Sequence, residues 1–297
     1  MTRPVTRVGV VGAGRVGAVL SAGLRAAGHP VVAAAGESDA SRARAAALLP
    51  GVPMQKPTRV SKAADLLLLT VPDDMLSNVV TMLAASGAIR KGQYVAHTSG
   101  RHGLAVLQPA ADLGAHVLAL HPAMTFTGTA VDLPRLHGCA FGVTAETEPA
   151  VAMATSLVAD LGGNLVWVPE ERRTLYHAGL AHGANHLVTL VCQAMELLRE
   201  SGATDPAATL RPLLSAALDN ALTMGDAALT GPIVRGDVET VRLHLEGIAR
   251  TRPDTMPAYV ALARATANTA VLDGRLLPIR AAKLVGILND ALEKVAA

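Results

Sequence analysis

The sequence predicts an α/β protein: an N-terminal Rossmann-type doubly wound parallel sheet followed by an all-α C-terminal domain. Three observations predict it. A glycine-rich turn comes straight after the first apolar run, short β-branched runs alternate with alanine-rich helical stretches up to about Val168, and only helical texture remains from Glu171 to Ala297. At 297 residues the chain exceeds the usual single-domain size of about 100 to 200 residues, so two domains are expected, 1–169 and 170–297.

The expected strands are Val8 to Val11, Val31 to Ala35, Leu66 to Val71, Tyr94 to His97, His116 to Leu120, Ala140 to Thr144 and Leu165 to Val168. Each is a nearly continuous apolar run, as befits a strand covered by helices on both faces. Helices are expected to begin near Val16, Ser38, Met75, Gly103 and Pro149 and to stop at Gly28, Gly51, Gly87, Gly114 and Gly162. After Pro169 five helices are expected, divided at Pro206, Gly231-Pro232, Pro253 to Pro257 and Leu277-Pro278. The first, Glu171 to Glu200, would run for about 45 Å, the length of a domain spine or a dimer interface. Inside it Gly179 and Gly183 each cost about 1 kcal/mol relative to alanine, which implies a close approach by a neighbouring helix or by a bound ligand.

Composition narrows the function classes. Hydrophobic residues make up 51% and charged residues 17%, which excludes a disordered chain. No apolar run approaches the roughly 18 residues that cross a bilayer, and Met1 to Val10 lacks a signal-peptide pattern, so a cytoplasmic protein with no membrane partner is expected. The net charge is only +2 and the 26 Lys and Arg are dispersed, so nucleic acid is not expected as a partner. Cys139 and Cys192 stand far apart in apolar surroundings and read as buried free thiols.

Gly12-Ala13-Gly14-Arg15-Val16-Gly17 follows the first strand and opens a helix, a placement that fits a dinucleotide. Gly12 permits the tight turn, Gly14 lets the backbone approach a pyrophosphate, and Gly17 lets the helix pack on the strand. The helix start at Arg15 and Val16 offers free N–H donors. At the end of the second strand, Glu37 can accept from a ribose 2′-hydroxyl, whereas Ser38, Ser41 and Arg42 can neutralise a 2′-phosphate; Ser38 can equally serve as a helix cap. NADP is the expected cofactor, with NAD the alternative.

Polar groups also close three further strands: Thr70-Val71-Pro72-Asp73, His97-Thr98-Ser99-Gly100, and the run from His121 to Gly128 that includes Thr125. The carboxyl edge of an open sheet carries the ligand crevice, which assigns Val71, Pro72 and Ser99 to cofactor and Thr125 to substrate. His121 can exchange a proton near neutral pH, as carbonyl reduction requires, or be a plain turn residue before Pro122; Ser99 can bond the same oxygen or the cofactor carboxamide. On the long helix Tyr176, His177, His182, Asn185 and His186 form the densest polar group, and His177 and Asn185 share a broad face that can line a cleft. His182 and His186 have metal-pair spacing but no third ligand nearby, so no metal is expected. Asp237 is placed to cap a helix, while Arg235 either clamps a substrate carboxylate or lies at the surface.

Together the Gly12 to Gly17 turn, Val71-Pro72-Asp73, His97 to Gly100, His121-Pro122 with Thr125-Phe126, Tyr176-His177 with Ala184-Asn185-His186, and Thr230-Gly231-Pro232 with Arg235-Gly236-Asp237 carry a family resemblance. Over nearly the whole chain they resemble the bacterial Rossmann-like oxidoreductase family with a helical C-terminal domain of uncharacterised function, within the 6-phosphogluconate dehydrogenase-like superfamily. The resemblance implies an NAD(P)-dependent oxidoreductase whose helical domain forms a homodimer. Some members are associated with NADPH-dependent ketopantoate reduction, and the superfamily also holds pyrroline-carboxylate reductases, prephenate dehydrogenases and β-hydroxyacid dehydrogenases.

Prephenate dehydrogenases carry a catalytic histidine in a His-Pro motif and a serine after the preceding strand, positions that His121 and Ser99 fill. Ketopantoate reductases use a lysine two turns before an asparagine. If Asn185 matches that asparagine, His177 holds the lysine position, and no lysine lies between Lys91 and Lys283. That lysine mechanism is therefore excluded. The expected arrangement has His121 as proton donor, Ser99 orienting the oxygen, and Asn185 with Arg235 positioning a small anionic 2-oxo acid. The alternatives are a prephenate dehydrogenase-like or imine-reducing enzyme, or a dinucleotide-binding sensor without chemistry.

Overall fold

The structure, a computed structural model, describes residues 5–296; the first four residues of the segment read above as leaderless lie outside the described residues. In chain order the sheet part comprises β1 (Val8–Val11), α1 (Arg15–Ala26), β2 (Val31–Ala35), α2 (Asp39–Leu48), α3 (Pro57–Ala63), β3 (Leu66–Leu69), α4 (Asp73–Ala85), β4 (Tyr94–His97), α5 (Gln108–Ala111), β5 (His116–Pro122), β6 (Ala140–Thr144), α6 (Glu148–Asp160) and β7 (Asn164–Trp167). Helices alone follow: α7 (Arg173–Glu200), α8 (Pro206–Met224), α9 (Pro232–Arg235), α10 (Val238–Thr251), α11 (Met256–Leu272) and α12 (Pro278–Ala296). The five long helices expected after Pro169 are all present, with the single turn α9 added.

The strands form one sheet in the order β2-β1-β3-β4-β5-β6-β7. The doubly wound parallel arrangement holds for the first five, but β6 pairs antiparallel with β5 and β7 parallel with β6, so the last two run against the rest. The connection explains the reversal. Between β5 and β6 the chain makes only short 3-10 turns at Ala130–Asp132 and Pro134–Leu136, with no crossover α-helix to carry the next strand back in parallel.

Residues of β1 to β4 feed two cores, one per face, whereas β6 feeds only the first. Val8, Val10, Leu66, Leu68, Leu118, Leu120 and Phe141 pack with Leu20 and Leu24 of α1 and Leu157 of α6. Val11, Leu67, Leu69 and Val95 pack with Leu76, Val80 and Leu83 of α4. The five glycines expected to stop helices all take positive φ. The boundaries differ in places: β3 ends at Leu69, β5 runs on to Pro122, and the helix expected near Gly103 is a 3-10 turn (Ala105–Leu107) followed by the one-turn α5. The unexpected α3 starts at Pro57 and buries Val60.

The chain divides into two compact units, Met1–Ala181 and His182–Ala297, so α7 begins in the first and continues in the second. The core of the second unit is built from Val241, Leu245 and Ile248 of α10, Val260 and Ala267 of α11, and Leu284 and Leu288 of α12. Helix α7 is about 42 Å long over its 28 residues, and Arg173 is its one buried residue. Added methyls at Gly179 and Gly183 would meet open space, so no neighbour within the chain approaches either glycine. Cys139 is buried as expected, whereas Cys192, on this open helix, is exposed. Among the described residues no helix is long and apolar enough to cross a membrane.

Candidate active site

Strand β1 lies between β2 and β3, so chain connections depart in opposite directions at the β1–β3 boundary, and the crevice outside those carboxyl ends is a natural ligand site. The glycine-rich turn stands there. Gly12 has φ +102°, and its N–H and that of Ala13 donate to the Ala35 carbonyl at 2.9 and 2.8 Å. Thr70 Oγ1 donates to the Gly12 carbonyl at 2.6 Å, and a Cβ on Gly12 would lie 2.8 Å from Val71 N, which ties the turn to the Val71-Pro72 segment. A Cβ on Gly17 would run into Thr70 Oγ1 and the Gly12 carbonyl, whereas one on Gly14 would meet nothing closer than 3.9 Å. Helix α1 has no side-chain cap and no acidic residue in its first turn, so the N–H groups at Arg15 to Gly17 remain available to an anion.

At the end of β2, Ser38 caps α2 by accepting from Ser41 N–H at 3.1 Å. Arg42, expected to face a 2′-phosphate, instead donates to the Glu37 carbonyl and pairs with Asp39 one helical turn away. A different pair of arginines converges nearby: a Cβ on Gly128 would lie 2.8 Å from Arg44 Nε and 2.9 Å from Arg15 Cγ. The loop that carries Gly128 is pinned by the fully buried Asp132, which accepts from the N–H groups of Thr127 and Gly128, each at 2.8 Å.

Further along the same edge, His97 is fully buried and both ring nitrogens are engaged. Nδ1 accepts from Ser99 N–H at 3.1 Å and Nε2 donates to the Gly103 carbonyl at 2.8 Å, which selects the neutral Nε2–H tautomer. Burial pushes its pKa down to about 4 against the Gly103 hydrogen bond, with a smaller contribution from the charge of Arg173. Ser99 Oγ accepts from His102 N–H at 3.2 Å and keeps its own proton to donate.

His121 lies in β5 opposite Gly142 of β6. Its Nδ1 is 3.2 Å from the Tyr176 hydroxyl, and its ring meets those of Tyr176 and His177 edge-on, with centroids 5.7 and 5.9 Å away. Two glycines make the room. A Cβ on Gly142 would collide with the Tyr176 ring, and one on Gly100 would lie 2.5 Å from His177 Cδ2 and 3.0 Å from His121 Nε2. Burial, then the charges of Arg173 and His177, hold His121 at about 4, so the ring is neutral at pH 7 and does not titrate near neutrality as the sequence suggested. Burial also pushes the Tyr176 phenol up.

The structure therefore brings His121 and His177 together beside Gly100, the residue next to Ser99, in the first unit, with the glycine turn on the same edge, and leaves Thr125 exposed on the loop after β5. Asn185 and Arg235 belong to the second unit and are exposed there. His182 and His186 touch each other through Nδ1 at 2.9 Å, and among the described residues no group of three metal-ligating side chains exists. Asp237 caps α10 as expected, accepting from Thr240 N–H at 3.1 Å.

Sequence reasoning missed Arg173 and Glu170. The Glu170 carboxylate accepts from the N–H groups of Leu104 and Ala105 at 2.7 and 3.2 Å, bracing the segment after Ser99, and Gly103 is the residue whose bare backbone lets it in.

Residues 1–122 match the family profile of the Rossmann-like domain, and residues 139–266 match the one described as Domain of unknown function (DUF2520). No curated protein matches the sequence. Among solved structures, the chain is similar to a protein from Bacteroides fragilis proposed to be an NADP oxidoreductase, with 20% identity, 89% of this chain and 98% of that one covered, and a TM-score of 0.77. It is similar to an imine reductase from Pseudomonas sp. at 20% identity, covering 97% and 100% of the two chains with a TM-score of 0.69. A pyrroline-5-carboxylate reductase from Coxiella burnetii follows at 14% identity, with 98% of each chain covered and a TM-score of 0.56. At such identities these likenesses establish a shared fold.

Proposed function

The chain joins a Rossmann-like domain to a DUF2520 domain, and from that premise we propose that it is an NAD(P)-dependent oxidoreductase that reduces a small 2-oxo acid or related carbonyl compound. One observation carries the reading: an uncapped helix start with an open Gly14 face and a cluster of Ser99, His121, Tyr176 and His177 occupy the same edge of one sheet. The names of the structural relatives, an NADP oxidoreductase and two reductases, support it.

A reduced nicotinamide dinucleotide held at this turn would supply the hydride. The N–H groups of Arg15, Val16 and Gly17 would hold its pyrophosphate, with Val71 and Pro72 beside the turn. NADP is the preferred cofactor, with Ser38 and the converging Arg15 and Arg44 taking the 2′-phosphate in place of Arg42, which pairs with Asp39. Ser99 Oγ donates to the carbonyl oxygen and orients it. His121 gives that oxygen the proton on Nε2 and receives another at Nδ1 from the Tyr176 hydroxyl, which water then restores. A ring that is neutral at working pH can donate from one nitrogen while accepting at the other, and burial keeps His121 in that form. His177 packs its ring over Gly100, at the position where the lysine of related reductases would fall. Asn185 and Arg235, expected from the sequence to hold the substrate carboxylate, belong to the second unit, and the steps above use residues of the first unit alone.

Ketopantoate is the specific candidate substrate. The protein is proposed to act in the cytoplasm as a homodimer through α7 and α8, supported by the exposure of Val188 at 64%, Leu213 at 64% and Leu222 at 79% on these helices. The test is the fall in NADPH absorbance when ketopantoate and other 2-oxo acids are added to the purified protein, with NADH in parallel.

A further inference from the structure

The buried guanidinium of Arg173 has no part in the chemistry above. It is 1% exposed, yet among the described residues no carboxylate is hydrogen-bonded to it: Nη2 donates to the Ser99 carbonyl at 2.7 Å, Nη1 donates to Thr144 Oγ1 at 2.9 Å and to the Gly142 carbonyl at 3.4 Å, and Nε has no partner. Two acidic groups that bear on Arg173 or His121 are committed elsewhere. Glu170 accepts from Leu104 and Ala105, and Asp73 pairs with Arg101 at 3.1 Å. Keeping a cation out of water without a bonded counter-ion is costly, so its retention beside a reactive cluster points to a use for positive potential there.

The peptide that Arg173 holds suggests what that use is. The described peptide bonds are all trans, and in a trans peptide the C=O and N–H point in opposite directions. With the Ser99 carbonyl drawn to Arg173, the Gly100 N–H faces away from the guanidinium. Gly100 is buried, its N–H makes no hydrogen bond among the described residues, and a Cβ on it would lie 3.0 Å from His121 Nε2. A cation on the carbonyl polarises the peptide and strengthens its N–H as a donor.

We propose that Arg173, acting through the Ser99–Gly100 peptide, makes the pocket beside His121 an oxyanion site that takes a carbonyl compound and rejects a protonated imine. The inference rests on the oxidoreductase reading of this site and names its substrate class. When hydride and its electron pair reach a carbonyl carbon, the C=O π pair moves to oxygen. The resulting alkoxide accepts the Gly100 N–H and then takes the proton from His121 Nε2. An iminium group instead carries positive charge towards Arg173 and becomes a neutral amine in the same step, so the pocket repels its ground state and gains nothing later. Arg173 is a positioning residue, because it meets the reacting atoms only through this peptide. The charged and titratable groups that bear on His121 are Arg173, Tyr176 and His177 of α7 and Asp73 at the start of α4. Removing the permanent cation among them makes the ring easier to protonate.

The test uses the full-length protein with Arg173→Lys and Arg173→Gln. Its first readout needs no turnover: oxalate is titrated while the Gly100 amide is followed by NMR, and the His121 ring is titrated with acid. The wild type should bind oxalate saturably and shift Gly100. The lysine variant should stay within about threefold, and the glutamine variant should bind at least about tenfold more weakly with His121 titrating at higher pH. A folded glutamine variant with wild-type oxalate affinity and wild-type His121 titration overturns the proposal. Should that variant unfold, failure of oxalate to shift Gly100 in the wild type overturns it equally. The second readout is the wild-type kcat/KM for ketopantoate against a pyrroline imine, expected to favour the carbonyl by at least about tenfold; preference for the imine overturns the substrate class. If NADPH is oxidised with neither, the oxidoreductase reading itself fails, while the oxalate and His121 titrations still decide the role of Arg173.

Discussion

Gly14→Ala separates cofactor binding from folding better than any other change in the glycine turn. Gly14 has φ −76° and ψ −159°, an extended conformation open to alanine, and the new methyl would have the Gly12 carbonyl 3.9 Å away as its nearest neighbour. The fold should therefore gain about 0.4–1 kcal/mol from the stiffer unfolded chain. The same methyl fills the face across which the proposed pyrophosphate would reach the α1 donors, and losing one hydrogen bond to a charged group costs about 1.5–3 kcal/mol, which is about ten- to a hundredfold in Kd. Gly17→Ala serves as the contrast, because its methyl collides with Thr70 Oγ1 and the Gly12 carbonyl and should cost about 1–3 kcal/mol of stability as well as binding. Urea denaturation reads the first quantity and NADPH fluorescence titration the second. A Gly14→Ala protein that binds NADPH with wild-type affinity would refute the placement of the pyrophosphate.

Three other outcomes are expected. His121→Asn should lower kcat at least about a hundredfold with NADPH affinity unchanged, and full turnover in steady-state assays would remove His121 from the proton path. The low pKa values of His97 and His121, each about 4 against the ordinary 6.5, mean that the unfolded chain binds protons in this window that the folded chain refuses. Stability is then full above pH 6.5 and falls as pH drops towards 4, by about 1.4 kcal/mol per pH unit for each ring; urea midpoints that stay flat from about pH 7 to 4.5 would contradict the burial argument. Light scattering should give twice the chain mass, and Val188→Asp with Leu222→Asp should return it to the chain mass; a monomeric wild type would remove the dimer from the proposal.

What the sequence made legible is what depends on local geometry. Gly12 takes the positive φ and Gly17 the close approach that their positions predict, and the face at Gly14 is open. Gly28, Gly87, Gly114 and Gly162 stop their helices for the same local reason, whereas α2 ends at Leu48 and Gly51 lies in the turn after it. The reversal at β6 was hidden, because the run Ala140 to Thr144 carries no sign of its direction, and the seven residues of α3 are too few to show a period.

The polar site was half legible. His121 and Ser99 lie where their strands end, but the protonation of His121 depends on burial by residues more than fifty positions away. Arg173 follows Glu170, Glu171 and Arg172 and reads as part of a solvated charge run; only the packed first turn of α7 turns it inward. One signal was present and unread. Gly142 interrupts an apolar strand, the mark of a close approach, and the Tyr176 ring occupies that space.

The most direct measurement remains NADPH absorbance at fixed enzyme concentration as ketopantoate is raised, repeated with other 2-oxo acids. Saturable, substrate-dependent oxidation is the predicted result. NADPH that binds tightly and is oxidised by none of them would contradict carbonyl reduction and leave the turn at Gly12 to Gly17 as part of a nucleotide sensor.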